Sequence, residues 1–167
     1  VNKLTTSSIE VEINDATDAS AELLESIQAA VRSAAAIRQF FTGSIGVAIV
    51  DDDAIQTINR EHLQHDYPTD VISFAYAEDP PHVEGELVIS RETARREAEE
   101  LGWPPEHEIL LYVIHGTLHI CGMEDQTPAE RLEMRQAECS VLAALGIENA
   151  NRYGADGPMD AQPRGPN

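Results

Sequence analysis

The sequence predicts one domain that mixes helices with strands around a single buried helix. Three observations carry this. Its 167 residues, 42% of them apolar, match one ordinary domain and suffice to bury a core without disulfide staples. The apolar residues recur in two rhythms along the chain, alternating in some stretches and returning every three to four residues in others. One stretch, residues 105–121, is apolar on nearly every side, as a helix at the centre of a core must be. The domain is expected over residues 1–150 and a tail over 151–167.

Residues 8–14 (SIEVEIN) alternate apolar with polar and predict a half-buried strand. An Ala-rich amphipathic helix follows over 18–41, with Asp18 and Ser20 offering N-cap oxygens. Residues 44–50 (SIGVAIV) form a second strand. The triplet Asp51-Asp52-Asp53 then opens a helix to about Gln64, and carboxylates suit a helix N-terminus, so no metal role is needed for them. Pro68 breaks the chain before a strand over 71–76 (VISFAY), rich in β-formers. A loop holding Pro80-Pro81 leads to a strand over 85–89, and the gap suits a longer hairpin joining an antiparallel pair. Ser90 caps a charged helix to about Leu101, Gly102 ends it, and Pro104-Pro105 open the central helix, which Gly122 stops. Thr127-Pro128-Ala129-Glu130 reads as a capping box for a last helix to about Leu145. Residues 151–167 are Gly- and Pro-rich with no apolar period, and are expected to be disordered and without a function of their own.

Charge narrows the function. Thirty Asp and Glu against eleven Lys and Arg give a formal −19, which argues against a protein that coats nucleic acid. Ten of the eleven cations are Arg, the side chain that grips phosphate through two parallel hydrogen bonds, so a local RNA contact stays open. No DNA partner is expected. The longest apolar run, 109–114, is far short of a membrane span, and the opening VNKLTTSSIE has no signal-peptide core. Cys121 and Cys139 read as reduced, small buried hydrophobes of a cytoplasmic protein.

The chemistry lies in the string His115-Gly116-Thr117-Leu118-His119-Ile120-Cys121-Gly122-Met123-Glu124-Asp125. His115 and His119 are four apart, so their rings share a helix face one turn apart. Gly122 lets the chain turn back, and Asp125 can then return a third donor. Three ligands at one point leave a fourth tetrahedral position open, as a catalytic zinc requires. Glu124 competes with Asp125 for the third place, or could orient a ligand from behind. A lone histidine on an apolar face is usually an ordinary core residue, but two at this spacing would be costly to bury uncompensated. H-E-x-x-H peptidases place a glutamate directly after the first histidine. Here that residue is Gly116, which disfavours peptide hydrolysis.

This string resembles the H-G-x-L-H-L-x-G signature of the YbeY family of bacterial endoribonucleases. Asn59, eleven residues ahead of Asp70, agrees with it, as do the runs from Asp66 to Phe74 (DYPTDVISF) and from Gly85 to Ser90 (GELVIS). The match extends over roughly residues 8–147. The resemblance implies an α+β fold, a small mixed β-sheet flanked by helices around the metal-bearing one. It further implies one Zn2+ per chain and cleavage of single-stranded RNA. The roles implied are maturation of the 16S rRNA 3′ end and ribosome quality control, with rRNA and the ribosome as partners. His115 and His119 match the first two zinc ligands, and Asp125 stands where the family has a third histidine.

Aspartate there keeps a legitimate ligand but removes one unit of positive charge from the site, so a less acidic bound water is expected. Leu63 stands where the family has an arginine seven residues before Asp70, and Arg60, one turn earlier, is the alternative cation. Met123 replaces a tyrosine. No general acid or base is assigned; Arg60, Asp70 and Glu124 are the candidates. Arg91, Arg95, Arg96, Arg131 and Arg135 are the candidate RNA contacts, against the plainer reading that they pair with neighbouring glutamates. Two other functions stay open: a metal-stabilised ribosome-assembly or rRNA-binding protein without catalysis, and a zincin-like metallopeptidase.

Overall fold

The computed structural model describes residues 6–15, 19–65 and 69–148. The expected tail, the Asp18 cap and the 66–68 segment lie outside them. The described chain runs β1 (Glu10–Asp15), α1 (Ala21–Ile37), β2 (Thr42–Val50), α2 (Asp52–Leu63), β3 (Val71–Asp79), β4 (His82–Ser90), α3 (Arg91–Leu101), α4 (Pro105–Ile120) and α5 (Pro128–Ala144). The four strands form one sheet in the order β1-β2-β4-β3. The β1/β2 and β2/β4 pairs are parallel and β3/β4 is antiparallel, so the sheet is mixed, as expected.

Local chemistry sets the helix starts. Ser20, Asp51 and Ser90 each accept a hydrogen bond from the backbone N–H three residues on, and Thr127 with Glu130 forms the reciprocal capping box. Asp52 ties α2 to α3: its carboxylate accepts from Ser90 Oγ at 2.6 Å, Thr93 Oγ1 at 2.8 Å and Arg96 Nη1 at 2.6 Å. Asp51 and Asp52 are therefore structural.

The boundaries differ most from expectation in two places. α1 stops at Ile37 rather than running to residue 41, because Gln39 is left-handed and Phe40 N–H bonds back to Ala35 O. Phe40 is buried from that turn, which made it look like part of the helical stripe. The β3/β4 hairpin is longer than expected and its turn tighter, with Asp79 opposite His82 across Pro80-Pro81. Its register slips between Ala75 and Ala77, leaving Tyr76 bulged and exposed. That bulge breaks the alternation that marks a strand.

Side chains alternate across the sheet. Val71, Leu87 and Ile89 face the main core, which α1, α3, α4 and α5 complete. Their neighbours Ile72 and Val88 instead join Ile55 of α2 in a smaller cluster, against which Leu63 and Phe74 pack. The main core surrounds α4, burying Ile109 through Leu118 without interruption. No described helix is long and apolar enough to cross a membrane.

Candidate metal centre

Helix α4 lies directly on the sheet where it carries the histidines. A Cβ built on Gly116 would stand 2.5 Å from Leu87 Cδ2 and 3.1 Å from Ser73 Oγ and Val71 Cγ2. Only glycine allows this approach, and Ser73 Oγ donates to Gly116 O at 3.3 Å across it. The position after the first histidine thus faces the sheet, with no room for the glutamate of a peptidase motif. His115 and His119 emerge from the helix away from this contact, stacked edge to face with ring centres 4.5 Å apart. Beyond the helix Gly122 takes a left-handed φ of 88°, turning the chain so that Asp125 comes back to the rings.

His115, His119 and Asp125 form a group that could hold a metal ion. His119 Nε2 stands 3.0 Å from His115 Nε2 and 3.3 Å from Asp125 Oδ2, and His115 Nε2 stands 3.5 Å from the same oxygen. Two ligands each about 2.0–2.1 Å from a tetrahedral ion are separated by roughly 3.3 Å. The three edges bracket that value, so the donors fit a small divalent cation. His115 is only 2% exposed, Asp125 14% and His119 12% by side chain, so the cluster is open on one side.

Each ring is also held from behind. His115 Nδ1 is 2.9 Å from Glu138 Oε1, and both side chains are 2% exposed. The backbone of Met123 bonds the His119 imidazole. Burial works against a charged His119, but Asp125, Glu124 and the Met123 backbone outweigh it and raise the pKa above the usual histidine value. Burial, followed by the nearby Glu78, pushes the Cys121 thiol up to about 12, with Arg38 working in the other direction. Cys121 is a protonated core residue, as its sequence context suggested.

Several expectations need correction. Glu124 is exposed and outside the cluster. The carboxylate behind a histidine is Glu138, which the sequence reading missed; its signal was an acid on the α5 face lined by Met134, Ala137, Val141 and Leu142. Arg135, 7% exposed, is buried and is no surface RNA contact. Among the other cations, Arg96 is engaged by Asp52, and Arg131 Nη1 donates to Gln126 O at 2.9 Å. Arg95 and Arg60 are exposed and Arg91 half-buried. Asp70 Oδ1 accepts from Val71 N–H at 2.7 Å and Thr69 Oγ1 at 3.4 Å, at the entry to β3. Leu63 is packed on the α2 side of the sheet, and Met123 lies in the main core.

Fold and site together define a one-domain α+β protein with two histidines and a carboxylate gathered at the end of its central helix. The chain belongs to the endoribonuclease YbeY family, whose model matches residues 4–146. It is 56% identical over 126 residues to an endoribonuclease YbeY of Rhodopirellula baltica, covering 74% of this chain and 64% of that one. The chain thus spans just under two thirds of that curated relative. An endoribonuclease YbeY of Phocaeicola vulgatus is 42% identical over 105 residues, covering 63% of this chain and 75% of that one. In fold, the chain is similar to a Thermotoga maritima protein solved in solution, with a TM-score of 0.58 at 22% identity, over 93% of this chain and 97% of that one.

Proposed function

We propose that the chain is a zinc-dependent endoribonuclease of single-stranded RNA. Its place is in the cytoplasm, in maturation of the 16S rRNA 3′ end and in ribosome quality control. The observation that carries this is the convergence of His115, His119 and Asp125 at tetrahedral ligand spacing in a chain of the endoribonuclease YbeY family. These three would hold one Zn2+ per chain. Zinc in such a site supplies Lewis-acid chemistry, polarising a phosphoryl oxygen and acidifying a water.

The chain's own residues do the rest. With an ion bound, His115 and His119 would present Nε2 lone pairs to it, each ring being held from behind. Asp125, from the returning loop, keeps the site open on its exposed side. Arg91 and Arg95 of α3 and Arg60 of α2 supply phosphate contacts. Of the three groups weighed as general acid or base, Glu124 and Arg60 are exposed and Asp70 is half-buried at the entry to β3. With so few cations, RNA affinity should depend only shallowly on salt, and a log–log slope steeper than about −5 would contradict this footprint.

The test is cleavage of single-stranded RNA with and without chelator, beside His119→Ala and Asp125→Ala. Chelator-sensitive cleavage lost in both variants is expected. A second reading, a metal-stabilised assembly factor bound to rRNA and the ribosome, is favoured by Leu63, an apolar residue packed in the small cluster where the resembled pattern has an arginine. Intact RNA bound equally well with and without metal would select it.

A further inference from the structure

We infer that Glu138 is a positioning residue for this centre: its buried carboxylate fixes the tautomer and ring angle of His115 so that Nε2 faces the ion. The inference rests on the metal-site reading above. Glu138 comes from α5, a separate helix, and its Oε1 lies 2.9 Å from His115 Nδ1 with both side chains 2% exposed. An ionised carboxylate can only accept a hydrogen bond, so the proton belongs on Nδ1 and the lone pair on Nε2. Nε2 is the nitrogen that faces His119 and Asp125. In the other tautomer two lone pairs would oppose each other in a dry site, and the ligand nitrogen would be blocked by its own proton.

Packing alone does not explain an acid there. The buried face of α5 is otherwise built from Met134, Ala137, Val141 and Leu142, and an apolar residue would complete it at lower cost. Arg135, three residues earlier on α5 and also buried, brings a cation to the same stretch of helix as the carboxylate. This gives Arg135 a place in the protein interior where the sequence suggested RNA.

Two measurements test this, one of them independent of metal. The first is Zn2+ affinity, by competition with a chromophoric chelator, for the wild type, Glu138→Gln, Glu138→Leu and, as a control for general damage to the core, Glu108→Gln. The second is the His115 tautomer in metal-free protein, by long-range 1H–15N NMR at a pH where both imidazoles are neutral. Glu138→Leu should weaken Zn2+ binding by about 10–100-fold and lose the Nδ1–H form. Glu138→Gln keeps an acceptor oxygen and should retain the tautomer with a smaller loss of affinity. It carries the test alone if Glu138→Leu does not fold. Wild-type affinity in the Glu138 variants, a loss as large in Glu108→Gln, or His115 protonated at Nε2 in the wild type would each overturn the inference. Should the wild type take up no Zn2+ yet lose its Nδ1–H tautomer in Glu138→Leu, the metal reading falls while the hold of Glu138 on the ring stands.

Discussion

Replacing Gly116 by alanine sets two effects of opposite sign against each other. Alanine is favoured over glycine in a helix interior by roughly 1 kcal/mol, so propensity alone makes Gly116→Ala stabilising. Packing argues the other way. The new methyl would stand 2.5 Å from Leu87 Cδ2, with Ser73 Oγ and Val71 Cγ2 at 3.1 Å. Carbon atoms in good contact sit about 3.5–4.0 Å apart, so roughly 1 Å must be found at Leu87 alone. A leucine methyl can swing, but Leu87 is 1% exposed and Val71 0%, and both are walled in by the main core. The relief must come from lifting α4 off β3 and β4. Overpacking of this kind costs about 1–3 kcal/mol, which over most of that range exceeds the propensity gain. A net loss of up to about 2 kcal/mol is expected, read as a lower midpoint in urea at unchanged slope with chelator present. Zn2+ binding should weaken too, because the displaced turn carries His115. A midpoint at or above that of the wild type would refute the close approach of helix and sheet.

Elemental analysis should find about one zinc per chain in the purified protein and none in His119→Ala or Asp125→Ala; zinc retained in both variants would place the ion elsewhere. Burial opposes the charge on Asp52, but hydrogen bonds from Arg96, Ser90 and Thr93 hold its pKa below the ordinary 3.8. Its stabilisation is therefore complete above the unfolded value and lost as pH falls through the folded one. Asp52→Asn keeps the Oδ1 acceptor for the two hydroxyls but loses the charge and the Oδ2 that accepts from Arg96, so it should cost at most about 1 kcal/mol at pH 7, and the gap to wild type should close in acid. A gap that persists unchanged at low pH would exclude the charge as its source. Leu63→Arg should lower stability by about 1–2 kcal/mol by uncovering the Ile55–Ile72–Val88 cluster, and an unchanged thermal midpoint would show that the leucine contributes no packing. Iodoacetamide at pH 8 should leave Cys121 unmodified until the protein unfolds, since its thiol is buried and protonated; mass spectrometry showing equal labelling in native and urea-treated protein would contradict its burial.

The sequence by itself determined what is written within a few residues. A capping oxygen and the N–H that it accepts lie three positions apart, so the starts at Ser20, Asp51, Ser90 and Thr127 were legible. Two histidines one turn apart on an apolar helix, followed by a glycine and an aspartate, could be read as a site because helix geometry alone aligns the rings. The tertiary structure decided what depends on residues far apart in the chain. Glu138 meets His115 across 23 positions, and Ser73 meets the carbonyl of Gly116 across 43. In sequence Glu138 is one more acid in an acidic protein, and Arg135 one more surface cation. The fold alone buries both: α5 docks against α4, and the environment of a side chain on that face is set by the helix it meets. The same holds for Leu63, which local pattern marks only as a missing arginine and which the far side of the sheet uses as packing.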